Sequence, residues 1–117
     1  MKTILAPIDF SDATPAVTQA LIPLARAVQA QVYLLHVTPP DPDFVGYDVG
    51  PSVVREQVAT KFRKEHRLLQ DLQHQLAGEG IQVSALLIQG PTVAKILDEC
   101  LRLKADLIVM GSHGHGS

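Results

Sequence analysis

Four short apolar runs recur along the chain, and their spacing constrains the fold more than any other feature. They are "TILAPI" (residues 3–8), "QVYLLHV" (31–37), "IQVSALLI" (81–88) and "ADLIVM" (105–110), each pair separated by a helix-forming segment. Runs that are apolar throughout, instead of alternating, are the pattern of strands covered on both faces. Strands joined through a helix run parallel, with right-handed crossovers. The order strand, helix, strand, helix, strand, helix, strand therefore predicts an open parallel α/β sheet with helices on both faces. A chain of 117 residues has material for one core, so residues 1–117 are expected to form a single domain.

The connecting segments carry their own signals. After the first strand, Asp9, Phe10, Ser11 and Asp12 read as a turn with Ser11 as N-cap, and Val17, Ala20, Leu21, Leu24, Ala25 and Val28 follow at helical spacing. Pro15 suits a first helical turn, whereas Pro23 predicts a kink near 19–23. Residues 38–51 form a connection rich in Pro, Asp and Gly, of a length that usually marks a lid or a disordered stretch. From Ser52 to Ala77 a polar helix carries Val54, Val58, Phe62, Leu69, Leu72 and Leu76, and it stops at Gly78. Pro91 and Thr92 start a third helix, with Val93, Ile96, Leu97, Cys100 and Leu101 on one face.

Several function classes are excluded. The formal charge is −2, and the cluster of Arg55, Lys61, Arg63, Lys64 and Arg67 is interleaved with Glu56 and Glu65, which reads as a solvated helix face and not a nucleic-acid footprint. Cys100 is the single cysteine, so no internal disulfide forms and a reducing compartment is expected. No apolar run of about 18 residues and no signal-peptide pattern occurs, which predicts a soluble cytoplasmic protein without a membrane partner.

In an open parallel sheet, ligands bind at the carboxyl ends of the strands where strand order reverses. With the first strand central, that crevice falls between the first and fourth strands, and "PIDFSD" meets "MGSHGHGS" there. Gly111, Gly114 and Gly116 permit close approach and positive φ, so their amides suit phosphate oxygens. Asp9 can accept hydrogen bonds from a ribose hydroxyl or a base amine, as the acidic residue of dinucleotide sites does. The glycine loop lacks the lysine of a P-loop, and Asp9 by itself is as readily a turn residue, so the nucleotide reading rests on their convergence.

These residues also carry a resemblance. "ILAPIDFSDAT", "VYLLHV" and "IQGPTVAKILDECLRLKADLIVMGSHG" resemble the strands, turns and third crossover of the universal stress protein family. Gly111 and Gly114 match the G-x-x-G half of the motif that nucleotide-binding members continue, nine residues on, with G-[ST]. That second half would fall beyond Ser117, and the family's last helix and fifth strand are not in this sequence, so a truncated domain is expected.

The resemblance implies a Rossmann-like, adenine nucleotide alpha-hydrolase-like architecture with strand order 3-2-1-4, continued by a fifth strand. It implies ATP as ligand, with Mg2+ as companion ion, and a homodimer. It places Asp9 on the ribose and adenine side, Pro7 in the pocket wall, and Val37 where the second strand's backbone meets the adenine. Met110, Gly111 and Gly114 would begin the ribose and phosphate loop, and His113 falls at a variable position that is often basic.

The remaining candidates favour binding over chemistry. His113 and His115 leave a tetrahedral metal site at least one protein ligand short. His36, inside an apolar strand, reads as a satisfied buried histidine, and His66 and His74 as helix surface. No lysine or arginine accompanies the glycine loop and no carboxylate pair is evident, so hydrolysis is expected to be absent or very slow. The expected function is a stress-response switch that binds ATP. The alternative is a family member without nucleotide that acts as a dimeric protein-interaction module.

Overall fold

The computed structural model describes residues 2–38 and 52–111, with residues 52–61 described by their backbone alone. Strand β1 (Thr3–Pro7) leads to helix α1 (Thr14–Val28) and strand β2 (Gln31–Thr38). Helix α2 (Ser52–Ala77), strand β3 (Gln82–Gln89), helix α3 (Thr92–Leu103) and strand β4 (Leu107–Ile108) complete the order. The long connection expected over residues 38–51 lies outside the described residues, apart from Thr38 at the end of β2. All pairings are parallel, as the spacing of the apolar runs predicts, and the sheet order is β3-β2-β1-β4, as the family resemblance implies. None of the described helices is long and apolar enough to cross a membrane.

The strand register sorts side chains between two faces. Pro7 pairs with Leu35 and Val37 with Ile88, so alternate residues of neighbouring strands share a face. On one face, Ile4, Ala6, Val32 and Leu34 are buried beneath Val17, Leu21 and Ala25 of α1 and Leu69 and Leu76 of α2. On the other, Leu5, Leu35 and Val37 are buried, with Ile96, Cys100 and Leu103 of α3 packed against them.

One local expectation is corrected. Ser11 does not cap α1: its Oγ accepts the N–H of Ala13 at 3.2 Å, and the helix begins at Thr14 with Ala13 as an N-cap that makes no side-chain bond. The Asp9–Ala13 stretch is instead a ladder of side-chain-to-backbone turns, which serine and aspartate favour over helix. Helix α1 runs on through Pro23, whose side is exposed. The apolar stripe of α3 is wider than the sheet can cover: Ile96 and Cys100 pack inward, whereas Val93, Leu97 and Leu101 are 70%, 56% and 79% exposed. Those three recur every fourth residue, which places them in one row beside the packed row.

Strand β4 is shorter than the run "ADLIVM", although its ladder extends beyond the two paired residues. Asp106 N–H donates to Thr3 O at 2.8 Å and Val109 N–H to Leu5 O at 3.0 Å. Its start is fixed by Thr3 N–H donating to Asp106 Oδ2 at 2.8 Å.

Candidate functional site

A cavity of about 310 Å3 opens at the carboxyl ends of β1 and β2, beside the point where β4 leaves the sheet. This is where strand order reverses, because β1 connects outward to β2 on one side and receives β4 on the other. Pro7 and Asp9 line it from the end of β1, Val37 from β2, and Met110 and Gly111 from the segment after β4. Five of the residues selected from the sequence thus share one cavity. The other two, His113 and Gly114, lie outside the described residues, as do Gly116 and His115.

Gly111 is required by proximity. A Cβ at this position would lie 2.8 Å from Ala13 Cβ and 3.0 Å from Val17 Cγ2. The segment leaving β4 therefore runs against the start of α1, and only a residue without a side chain brings the two walls of the crevice this close.

Asp9 has two roles open to it in the same place. Its Oδ1 accepts the Ser11 N–H at 2.9 Å, so the carboxylate shapes the turn that follows β1. It also lines the cavity and is exposed there. The turn carries Phe10 at a φ of 58°, a left-handed conformation that is uncommon for an aromatic residue.

Sequence reasoning missed the walls supplied by helix starts. Thr14 and Val17 of α1, and Thr92 and Ile96 of α3, line the same cavity. The available signal was topological: α1 and α3 each begin a few residues after a strand's carboxyl end, so their first turns face the crevice. Among these residues Thr14 is notable because its Oγ1 is buried and has no hydrogen-bond partner among the described residues. Leaving such a hydroxyl unsatisfied costs about 1–3 kcal/mol, which a ligand's polar atom would recover.

His36 is buried, as its place in an apolar strand predicts, and both ring nitrogens are engaged. A carbonyl can only accept, so the 2.6 Å contact to Ile8 O means that Nδ1 carries a proton and donates it. Nε2 meets Glu65 Oε2, and Thr38 Oγ1 donates to Glu65 Oε1 at 3.3 Å. Glu65 is therefore turned inward instead of lying on a wholly solvated face, a departure from the reading of the charged cluster, while Arg63, Lys64 and Arg67 are exposed. His66 and His74 are exposed as expected.

Among the described residues the lining holds one carboxylate (Asp9), one imidazole (His36), two threonines and no lysine or arginine. No group of three or more His, Cys, Asp or Glu among the described residues is placed to hold a metal. The apolar balance of the cavity, with a few convergent polar groups, suits an organic ligand with hydrogen-bonding edges.

The universal stress protein family model matches residues 1–117. A universal stress protein of Thermus aquaticus is 31% identical over 118 residues, which covers 99% of this chain and 80% of that protein. The crystal structure of a family protein from Burkholderia pseudomallei superposes with a TM-score of 0.74 at 29% identity, covering 98% of this chain and 84% of that one. An Arabidopsis thaliana family protein solved with AMP bound has a TM-score of 0.74 at 19% identity, covering 100% of this chain and 80% of that one. Two further neighbours carry nucleotides: an Archaeoglobus fulgidus protein in complex with dAMP (TM-score 0.59, 21% identity) and a universal stress protein in complex with cAMP (TM-score 0.66, 15% identity). The parallel sheet, its strand order and the match over the full sequence agree, and this chain belongs to the universal stress protein family.

Proposed function

We propose that this chain binds an adenine nucleotide, ATP in its working state, in the crevice between the ends of β1 and β4. It would act as a regulatory switch in the stress response, its output being a protein surface. The observation that carries this reading is the meeting of Pro7, Asp9, Val37, Met110 and Gly111 around one cavity whose wall also holds the unpartnered Thr14 Oγ1. In this reading Val37 and Pro7 give the base an apolar slot, and Asp9 accepts from a ribose hydroxyl or the adenine amine. The Thr14 hydroxyl completes its hydrogen bonding on the ligand. The triphosphate would run toward Gly114 and His113, with Mg2+ as its companion ion. The AMP, dAMP and cAMP held by structural neighbours support the choice of an adenine nucleotide.

Calorimetric titration with ATP and Mg2+ tests the reading. Asp9→Ala is expected to weaken binding at least about tenfold, or about 1.4 kcal/mol. Asp9→Asn keeps an oxygen for the Ser11 N–H but removes the charge, so it separates a turn defect from a lost ligand contact. Unchanged affinity in both variants would remove Asp9 from the site, and an unmodified chain that takes up no nucleotide would end the proposal.

A second reading has its own observation. The exposed row Val93, Leu97 and Leu101 on α3 favours an interaction module, whose contact would be a homodimer or another protein. Under that reading the oligomeric state is insensitive to nucleotide.

A further inference from the structure

We infer that His36 and Glu65 are positioning residues of the nucleotide site, a buried pair that shares one proton and holds the Ile8–Phe10 turn so that Asp9 faces the cavity. This deepens the reading of the site as a nucleotide pocket and rests on it.

The argument begins with an expense that packing alone does not explain. Position 36 lies on the face of β2 that also buries Val32 and Leu34, and an aliphatic residue would fill it with no polar atoms to satisfy. The histidine side chain is 8% exposed and the carboxylate it meets 15%, so both partners are withdrawn from water. A charged or polar pair in such a place is kept when its geometry serves something else.

What the geometry serves is the residue pair flanking Asp9. The β1–β2 ladder ends with Ile8 N–H donating to Leu35 O at 2.7 Å, and the next acceptor, Ile8 O, is taken by the His36 ring at 2.6 Å. On the other side of Asp9, the Phe10 ring lies against the imidazole with centroids 4.7 Å apart and planes tilted by 54°. Phe10 holds a φ of 58°, a conformation that persists where surroundings over-determine it. One side chain thus fixes the carbonyl before Asp9 and the aromatic ring after it, and both Asp9 and His36 line the cavity.

Glu65 fixes the imidazole in turn. Because Nδ1 donates to Ile8 O, the contact between Nε2 and the carboxylate requires one proton between them, on one partner or the other. Thr38 Oγ1, donating to Glu65 Oε1 at 3.3 Å, orients the carboxylate from the end of the same strand. Glu65 is the ionisable group that meets the imidazole ring. β3 presents Leu87 beside it and has no titratable residue, α1 has only Arg26 near its far end, and Lys64 and His66 flank Glu65 on α2 but are exposed.

The proton requirement makes the pair testable by a conservative change. Glu65→Gln supplies an amide N–H that donates to Nε2 and leaves Nδ1 donating to Ile8 O, whereas Glu65→Leu leaves Nε2 without a partner. ATP with Mg2+ would be titrated by calorimetry into the unmodified chain, Glu65→Gln, Glu65→Leu and His36→Leu, with backbone and imidazole NMR spectra of each nucleotide-free protein. Expected are a loss of about tenfold or more in affinity for the two leucine variants, and an affinity within about twofold of the parent for Glu65→Gln. The spectra should show a protonated Nδ1 on His36 in the parent, and displaced Asp9, Phe10 and Ser11 amide signals in Glu65→Leu. If His36→Leu does not fold, the two Glu65 variants still decide the matter.

Folded leucine variants that bind ATP like the parent would overturn the inference, as would unmoved Asp9–Ser11 signals in Glu65→Leu. Equal losses in Glu65→Gln and Glu65→Leu would also overturn it, because the amide should restore the bond. A parent that binds no ATP defeats the nucleotide reading itself. The spectra would then show separately whether the pair shapes the turn.

Discussion

The two faces of the sheet are built from the same strands and finished differently. The face under α1 and α2 buries residues of β1 and β2, with Ile81 just ahead of β3, and closes with Leu21, Leu69 and Leu76 at 1% exposure or less. The face under α3 buries only Leu5, Leu35 and Val37, while β3 gives half-buried residues to both faces. Helix α3 leaves Val93, Leu97 and Leu101 in solvent, and Met110 after β4 is 59% exposed. The difference teaches where stability and recognition sit. The closed face holds the sheet together, and the crevice opens where the two faces meet at the carboxyl ends of the strands.

The largest expected effect breaks the symmetry between faces directly. Leu21→Ala or Leu69→Ala removes a fully buried side chain from the closed face and should cost about 2–5 kcal/mol, read as a fall in the urea midpoint. Leu101→Ala, at 79% exposure, should change stability by no more than about 0.5 kcal/mol. If Leu101→Ala costs as much as Leu21→Ala, the α3 row is covered in solution and the contrast between the faces is lost.

A middle-sized effect sharpens the comparison at the seam. Gly111→Ala drives a methyl group into Ala13 and Val17, and should destabilise by about 1–3 kcal/mol in thermal melts. Ala13→Gly removes the atom nearest to that methyl group, at 2.8 Å from it. The double variant should therefore recover a good part of the loss, and additive losses would show that the two walls do not touch.

How much of this was legible in the sequence follows from what each signal depends on. The strands were readable because a run such as "VYLLHV" is apolar for one reason, burial on both faces, and α2 was read as Ser52–Ala77, the bounds it takes in the structure. Ser11 misled because serine before a helical pattern serves equally as a cap or in a turn, and the choice is made by Asp9 and Ala13 beside it. The α3 stripe was readable as apolar, but periodicity cannot say how much surface faces it. The cavity lining was legible in Pro7, Asp9, Val37, Met110 and Gly111, which come from three strand ends that topology brings together. Thr14, Thr92 and Ile96 were not, because a helix's first turn lines a crevice only once the helix has a place. Glu65 was hidden by its charge, which groups it with Arg63, Lys64 and Arg67, although its place three residues after Phe62 and four before Leu69 sets it in the inward row of the helix.

The smallest effect concerns the opposite end of the closed face. There Arg26, near the end of α1, donates to Glu79 O at 2.7 and 3.1 Å and pairs with the Glu79 carboxylate at 2.8 Å, bridging to the turn before β3. Both side chains are about half exposed, at 52% and 47%, so water and salt screen the pair. If the closed face is held by apolar burial, Arg26→Ala should cost at most about 1 kcal/mol, most of it from the bonds to the backbone carbonyl. Glu79→Gln, which keeps that carbonyl, should cost less still and show little dependence on salt. A loss in Arg26→Ala comparable to Leu21→Ala would mean instead that the clasp between α1 and the β3 turn holds the closed face shut, and that its apolar layer depends on a surface contact for its register.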